Sequence, residues 1–187
     1  MARMLWMLIL LLGAGLCGPA SAAPNPAAVK LVDQRGVVFS LESLHGRPVI
    51  LTFVATRCTD ACPIANATFQ RLQGRLRAAR ADALLLTVTL DPAYDTPFVM
   101  SREARMMGAD PRTWRMASGT ASNVRAVMRA FDVVTQVDRS GVPDVHSTLI
   151  YILDRRGRLA KRLLLSTDTV NEVLTALPRT TAARSSL

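Results

Sequence analysis

Two cysteines face each other across three residues in Thr56-Arg57-Cys58-Thr59-Asp60-Ala61-Cys62-Pro63. A thiolate is a nucleophile, half of a redox couple and a soft metal ligand, so a close pair points to thiol–disulfide exchange or to metal binding. A thioredoxin-type dithiol has two intervening residues. Three give the sulfurs a wider span, which still permits a disulfide and also admits a metal ion. The chain has two histidines that could complete such a site. His45, in His45-Gly46-Arg47-Pro48, reads as an exposed turn residue. His146 stands in Pro143-Asp144-Val145-His146-Ser147, directly before a strand-like run. An isolated histidine is more often structural than ligating, but placement beside a cysteine-bearing helix start favours a ligand. Two thiolates with an imidazole suit Cu(I) and can also hold Cu(II), which makes copper the expected cofactor.

The elements around these residues must bring them to one end of a sheet. Val49 to Ala55 is a continuous apolar run rich in β-branched residues and too short for a helix, so it reads as a buried strand. The cysteine loop follows it and leads into a helix over Pro63 to Ala79, with Pro63 well placed in the first turn. The positive end of that helix dipole, with Arg57 beside Cys58, is expected to favour thiolate. Ala83 to Leu90 reads as a second buried strand, and Thr96-Pro97 opens a helix over Phe98 to Met107 that stops at Gly108. A short strand over Trp114 to Ala117 and a helix over Ala121 to Phe131, capped by Thr120, come next. Strands over Thr148 to Leu153 and Leu159 to Leu165 are joined by the turn Asp154-Arg155-Arg156-Gly157-Arg158, and a last helix runs from Thr167 to Leu177. Val37-Val38-Phe39 adds a small strand near the start. This order, a βαβ half and then a ββα half, is the thioredoxin-like plan: an α/β fold whose central mixed sheet has helices on both faces.

Residues 1–22 read as a signal peptide, with Arg3 at the start, an apolar run from Met4 to Leu16 and a small-residue cleavage site at Ala20-Ser21-Ala22. The run is short for a membrane span, which takes roughly 20 residues, so cleavage is favoured over retention as an anchor. Cys17 follows Leu16, whereas a lipid-attachment cysteine wants a small residue before it. Residues 23–178 then form one domain and 179–187 a flexible tail. Export predicts a periplasmic protein.

The chain of 187 residues carries 23 Lys and Arg against 14 Asp and Glu, a formal charge of +9. The basic clusters Arg71/Arg75/Arg77/Arg80, Arg102/Arg105 and Arg155/Arg156/Arg158/Lys161/Arg162 lack the interleaved aromatics of a nucleic-acid surface, so no nucleic-acid partner is expected. They read as solvated faces, with docking on an acidic partner or an anionic membrane surface as the alternative. The absence of a Gly-rich phosphate loop and of a Ser/His/Asp arrangement leaves hydrolase and kinase readings without support. Asp91, Asp95 and Thr96 could support the metal ligands or contact a partner but read mainly as capping residues before Pro97, and Asp60 reads as a turn residue or a group orienting a ligand. Met100, Met106, Met107, Met116 and Met128 read as core packing rather than as thioether ligands.

Three stretches resemble the Sco/SenC family, in that family's order: Phe53 to Pro63 with its Cys58-Thr-Asp-Ala-Cys62-Pro63, Leu90-Asp91-Pro92-Ala93-Tyr94-Asp95-Thr96-Pro97, and Asp144 to Gly157 with its His146-Ser147. The resemblance spans residues 30 to 177. It implies a thioredoxin-like fold and a copper site made of Cys58, Cys62 and His146. It also implies a role in assembling the dinuclear copper centre of cytochrome c oxidase. Thr59 departs from the pattern, since the family usually has proline there. The expected partners are therefore the copper-site subunit of the oxidase or another periplasmic copper protein, together with a thiol–disulfide reductant that keeps the cysteines reduced. The rival reading is a thiol–disulfide oxidoreductase in which Cys58 and Cys62 are the catalytic dithiol. A peroxidase-like thiol enzyme fits the fold but lacks the threonine and arginine expected around its cysteine.

Overall fold

The apolar run after Pro48 is a strand over Val49–Val54 in which every residue is buried, so both of its faces must be covered. In the computed structural model, residues 26–59, 61–137, 139–144 and 149–177 are described. The elements are β1 (Leu31–Asp33), β2 (Val38–Phe39), β3 (Val49–Val54), α1 (Ala61–Ala78), β4 (Leu84–Thr89), α2 (Pro97–Met107), β5 (Trp114–Ser118), α3 (Ala121–Ala130), β6 (Gln136–Val137), β7 (Pro143–Asp144), β8 (Leu149–Leu153), β9 (Leu159–Leu164) and α4 (Thr169–Ala176). The leader 1–22, Cys17, Asp60, His146 and the tail 179–187 lie outside the described residues.

The main sheet has seven strands in the order β2-β1-β5-β4-β3-β8-β9. β3, β4 and β5 run parallel, while β8 is antiparallel to β3 and β9 to β8. β3-α1-β4 is thus the parallel crossover unit, and β8-β9-α4 is the antiparallel closure expected of the thioredoxin-like plan. Three short strands escaped the sequence reading. β1 pairs with both β2 and β5, although three residues are too few to show periodicity. β6 and β7 form a separate two-stranded ladder of two residues each.

Alternation along the strands divides the core into two layers. Leu51 and Phe53 of β3, with Leu84, Leu86 and Val88 of β4, pack with Val124, Val127 and Phe131 of the α3 segment. Ile50 and Leu85 face the other way, against Phe69, Leu72 and Leu76 of α1, Met100 of α2 and Val173 of α4. Phe53, Phe131 and Tyr151 pack as a ring cluster with centroids 5.0–5.9 Å apart. The indole N–H of buried Trp114 donates to Thr87 Oγ1 at 3.0 Å, so the largest core side chain leaves no buried donor unpaired.

The helix ends follow the sequence signals. Thr96 accepts the Val99 N–H and Thr120 the Asn123 N–H, while Gly108 closes α2 in the left-handed region at φ 65°. Of the methionines, Met100, Met116 and Met128 are core residues as expected, whereas Met106 is 61% exposed.

Candidate metal centre

β3 ends at Val54, and the chain reverses at once: the Cys58 N–H donates to the Ala55 carbonyl at 3.0 Å, closing a four-residue turn over 55–58. This turn presents Cys58 at the carboxyl end of a central strand. Cys62 lies in the first turn of α1, which begins at Ala61. Cys58 and Cys62 form no disulfide; Cys62 is buried and Cys58 half-buried. They pack against one small cluster formed with Val54 and Ala65. The structure therefore brings the two sequence-predicted thiols together, at the electropositive start of a helix. The Cys62 sulfur accepts the Ala55 N–H at 3.4 Å, which ties the second cysteine to the turn carrying the first.

Three further groups hold the same turn. Asp95 is fully buried and accepts the Thr56 N–H at 3.2 Å, the Thr56 hydroxyl, and the Thr89 hydroxyl at 2.6 Å. Thr89 Oγ1 in turn accepts the Asp91 N–H at 2.8 Å. Asp91 pairs with Arg57 at 2.6 Å, and the Arg57 guanidinium lies 4.4 Å from the centre of the Tyr94 ring. Ala55, Thr56 and Arg57 are thus gripped by Cys62, Asp95 and Asp91 respectively. Burial raises the Asp95 carboxyl above its ordinary range, against the hydrogen bonds from Thr56 and Thr89 that pull it down, and neighbouring Asp91 adds to the rise.

These contacts revise three expectations. Asp95 is not the helix cap: Thr96 alone caps α2, while Asp95 and Asp91 brace the approach to Cys58. Arg57 is not a free positive charge beside the thiol, because Asp91 and the Tyr94 ring engage its guanidinium. Thr56 and Thr89 were not singled out by the sequence, since a threonine at a strand end carries no signature of the carboxylate it will meet. One turn after Cys62, Asn66 donates to Glu103 at 3.0 Å and links α1 to α2; burial raises the Glu103 carboxyl, with Asp95 contributing.

His146 lies outside the described residues, so its side chain has no position to report. Its segment joins β8 at Leu149, whose carbonyl accepts the Thr52 hydroxyl at 3.1 Å, and Thr52 is only three residues before Ala55 in β3. Among the described residues, no cluster of three or more His, Cys, Asp and Glu side chains could hold a metal ion. His45 is exposed on the turn before β3, at the opposite end of that strand. Two soft thiols within one small cluster fit a monovalent or divalent copper ion better than a hard cation that wants oxygen ligands.

The family model described as SCO1/SenC matches residues 20–181. Over 70 residues the chain is 46% identical to a Stutzerimonas stutzeri protein provisionally named as copper-binding, a match covering 37% of this chain and 34% of that protein. The chain thus matches only about a third of that relative's length. The structure of Bradyrhizobium japonicum ScoI with copper bound superimposes with a TM-score of 0.69 at 22% identity, covering 80% of this chain and 97% of that one. BsSco, characterised as having a disulfide switch and as a member of the Sco family of cytochrome c oxidase assembly proteins, superimposes with a TM-score of 0.67 at 22% identity, over 79% of this chain and 90% of that one.

Proposed function

The chain belongs to the SCO1/SenC family, and from that premise we propose that it is an exported, periplasmic copper chaperone whose site consists of Cys58, Cys62 and His146. The observation that carries this reading is the pair of reduced cysteines on one small cluster at the start of α1, held by a turn that is braced at each residue before Cys58. Copper is the cargo. Cys58 and Cys62 bind it as thiolates and His146 as a neutral imidazole, and binding releases the thiol protons. Three protein ligands leave one side of the ion open. A partner cysteine or histidine enters there, and copper passes by ligand exchange to the dinuclear centre of cytochrome c oxidase or to another periplasmic copper protein.

The braced turn supplies what such transfer needs. Cys62 is buried and anchored to the Ala55 N–H, so it keeps its place, while half-exposed Cys58 is the thiol a partner reaches first. Loading requires the reduced dithiol, because a disulfide between Cys58 and Cys62 removes both thiolates.

The reduced dithiol also favours a second reading, thiol–disulfide exchange. Here one cysteine thiolate attacks a partner disulfide, releasing a partner thiolate; the other cysteine then closes the Cys58–Cys62 disulfide and releases the second. His146→Ala separates the two. Under the chaperone reading this variant loses tight copper binding; under the exchange reading it reduces a disulfide substrate as fast as the parent and copper is incidental. Retention of full copper affinity in His146→Ala overturns the three-ligand site.

A further inference from the structure

The pole of the molecule opposite the cysteines carries a concentration of positive charge that the copper site does not use. Val49, the first residue of β3, pairs with Leu153, the last of β8, so the turn 154–158 lies at the amino end of β3, while Cys58 lies beyond its carboxyl end. The Gly46 N–H donates to the Arg155 carbonyl at 2.8 Å, fixing this turn against the loop that enters β3. Six residues of strand put the two ends roughly 20 Å apart.

The turn and the following edge strand present Arg155, Arg156, Arg158, Lys161 and Arg162, all exposed. Arg155 pairs with Asp82 at 3.3 Å, Arg158 with Asp154 at 2.8 Å and Arg162 with Asp132 at 2.7 Å. Arg156 and Lys161 have no ion-pair partner among the described residues and keep their full charge. Beside these cations, β9 exposes Leu159 at 40%. Behind the turn is a cavity of about 250 Å³ whose lining combines buried Ile152 and Leu153 with Arg155, Arg156 and Arg158. Cations around an apolar recess, on a strand with unpaired hydrogen-bonding edge groups, suit the boundary between anionic headgroups and acyl chains.

The path of the chain points the same way. It enters the described fold at Pro26–Ala28, and Ala27 lines a second cavity, of about 200 Å³, together with Gly157 and Leu159 of the same hairpin. The chain thus joins the described fold beside the basic turn, a few residues after the apolar run of residues 4–16 where that run is retained. We propose that the β8–β9 turn and the first residues of β9 form a docking face for an anionic bilayer surface, which holds the domain with its cysteine end directed away from the membrane. This docking face is independent of the copper reading. The competing role for the same residues is that charge on β9 merely blocks edge-to-edge strand pairing.

Vesicle co-sedimentation of the full chain distinguishes them. The probes are phosphatidylcholine vesicles with and without about one third phosphatidylglycerol, at low and high salt. Because the apolar run of residues 4–16 would partition into both kinds of vesicle, the reading is the difference between them. The parent partitions more strongly into the anionic vesicles, and salt reduces the difference. R156E/K161E lowers anionic partition by about tenfold or more. R102E/R105E, the same change of charge on exposed residues of α2, leaves it near the parent value. Leu159→Ser lowers it by a smaller factor without changing the salt dependence. An equal loss in both double variants would show diffuse attraction and overturn the proposal. Absence of any anionic preference in the parent would overturn it too, leaving the charges to guard the edge strand or to meet an acidic protein. An unchanged urea-unfolding curve shows that R156E/K161E is folded, and because this control needs no copper the result stands apart from the fate of the copper reading.

Discussion

Replacing Asp95 tests whether the turn carrying Cys58 is held as its contacts imply. Asp95→Ala removes the acceptors of the Thr56 N–H, the Thr56 hydroxyl and the Thr89 hydroxyl. The hydroxyls can rotate, and Thr89 keeps its bond from the Asp91 N–H. The Thr56 N–H loses its acceptor outright, at a penalty of about 1–3 kcal/mol for an unmet buried donor. With about 1 kcal/mol for each hydroxyl bond, the expected loss is about 3–5 kcal/mol, or a fall in Tm of about 6–20 °C for a domain of this size. Asp95→Asn keeps an oxygen for the Thr56 N–H and the Thr89 hydroxyl and removes a buried charge, so it should stay within about 1 kcal/mol of the parent. Burial places the folded-state pKa of Asp95 above its unfolded value. The folded protein thus binds more protons in the interval between the two, and stability from this group is fully present below the ordinary aspartate pKa of about 3.9 and declines as pH rises through the raised value. Relative to Asp95→Asn, the parent should lose stability across that interval. Urea unfolding at a series of pH values measures both effects, followed by the emission of Trp114, which is fully buried. If Asp95→Ala costs under about 1 kcal/mol, or Asn costs as much as Ala, Asp95 does not brace the turn.

Three further substitutions probe other parts of the fold. Gly157 has φ 73°, and a Cβ there would stand 2.5 Å from His45 Nε2, so Gly157→Ala should cost about 1–2 kcal/mol. Adding His45→Ala should relieve only the contact and leave the backbone strain, a partition that paired denaturation curves can read. Gly74 lies inside α1, and a Cβ added there would meet nothing within 4 Å, so Gly74→Ala should stabilise by about 0.5–1 kcal/mol without altering copper stoichiometry. Thr96→Ala should cost about 1 kcal/mol through loss of the bond to the Val99 N–H, and Thr96→Ser should recover most of it in the same unfolding assay.

The long elements could be read from the sequence because their signals are local. β3 and β4 are unbroken apolar runs, Thr96 and Thr120 sit where caps belong, and Gly108 stops α2 in the left-handed conformation only glycine adopts freely. β1 could not be read, because three residues owe their strand geometry to β2 and β5 rather than to any pattern of their own. The cysteine pair was legible from residue type and spacing. Its supports were only half so: Asp91 and Asp95 stood out beside Pro97, but the capping motif explained them too readily, and their real partners Arg57, Thr56 and Thr89 are 34, 39 and 6 residues away in the chain. Arg57 was misjudged for the same reason, since nothing near it in sequence foretells the carboxylate that neutralises it. Side chains that meet across a fold leave no periodicity to detect.

Anaerobic copper titration of the reduced chain tests the central claim most directly, with stoichiometry read from the thiolate-to-copper charge-transfer band. The three-ligand site predicts one copper per chain for the parent, loss of stoichiometric binding in Cys58→Ser and in Cys62→Ser, and greatly weakened binding in His146→Ala. Stoichiometric copper in the Cys58→Ser/Cys62→Ser double variant, or none in the reduced parent, would contradict it.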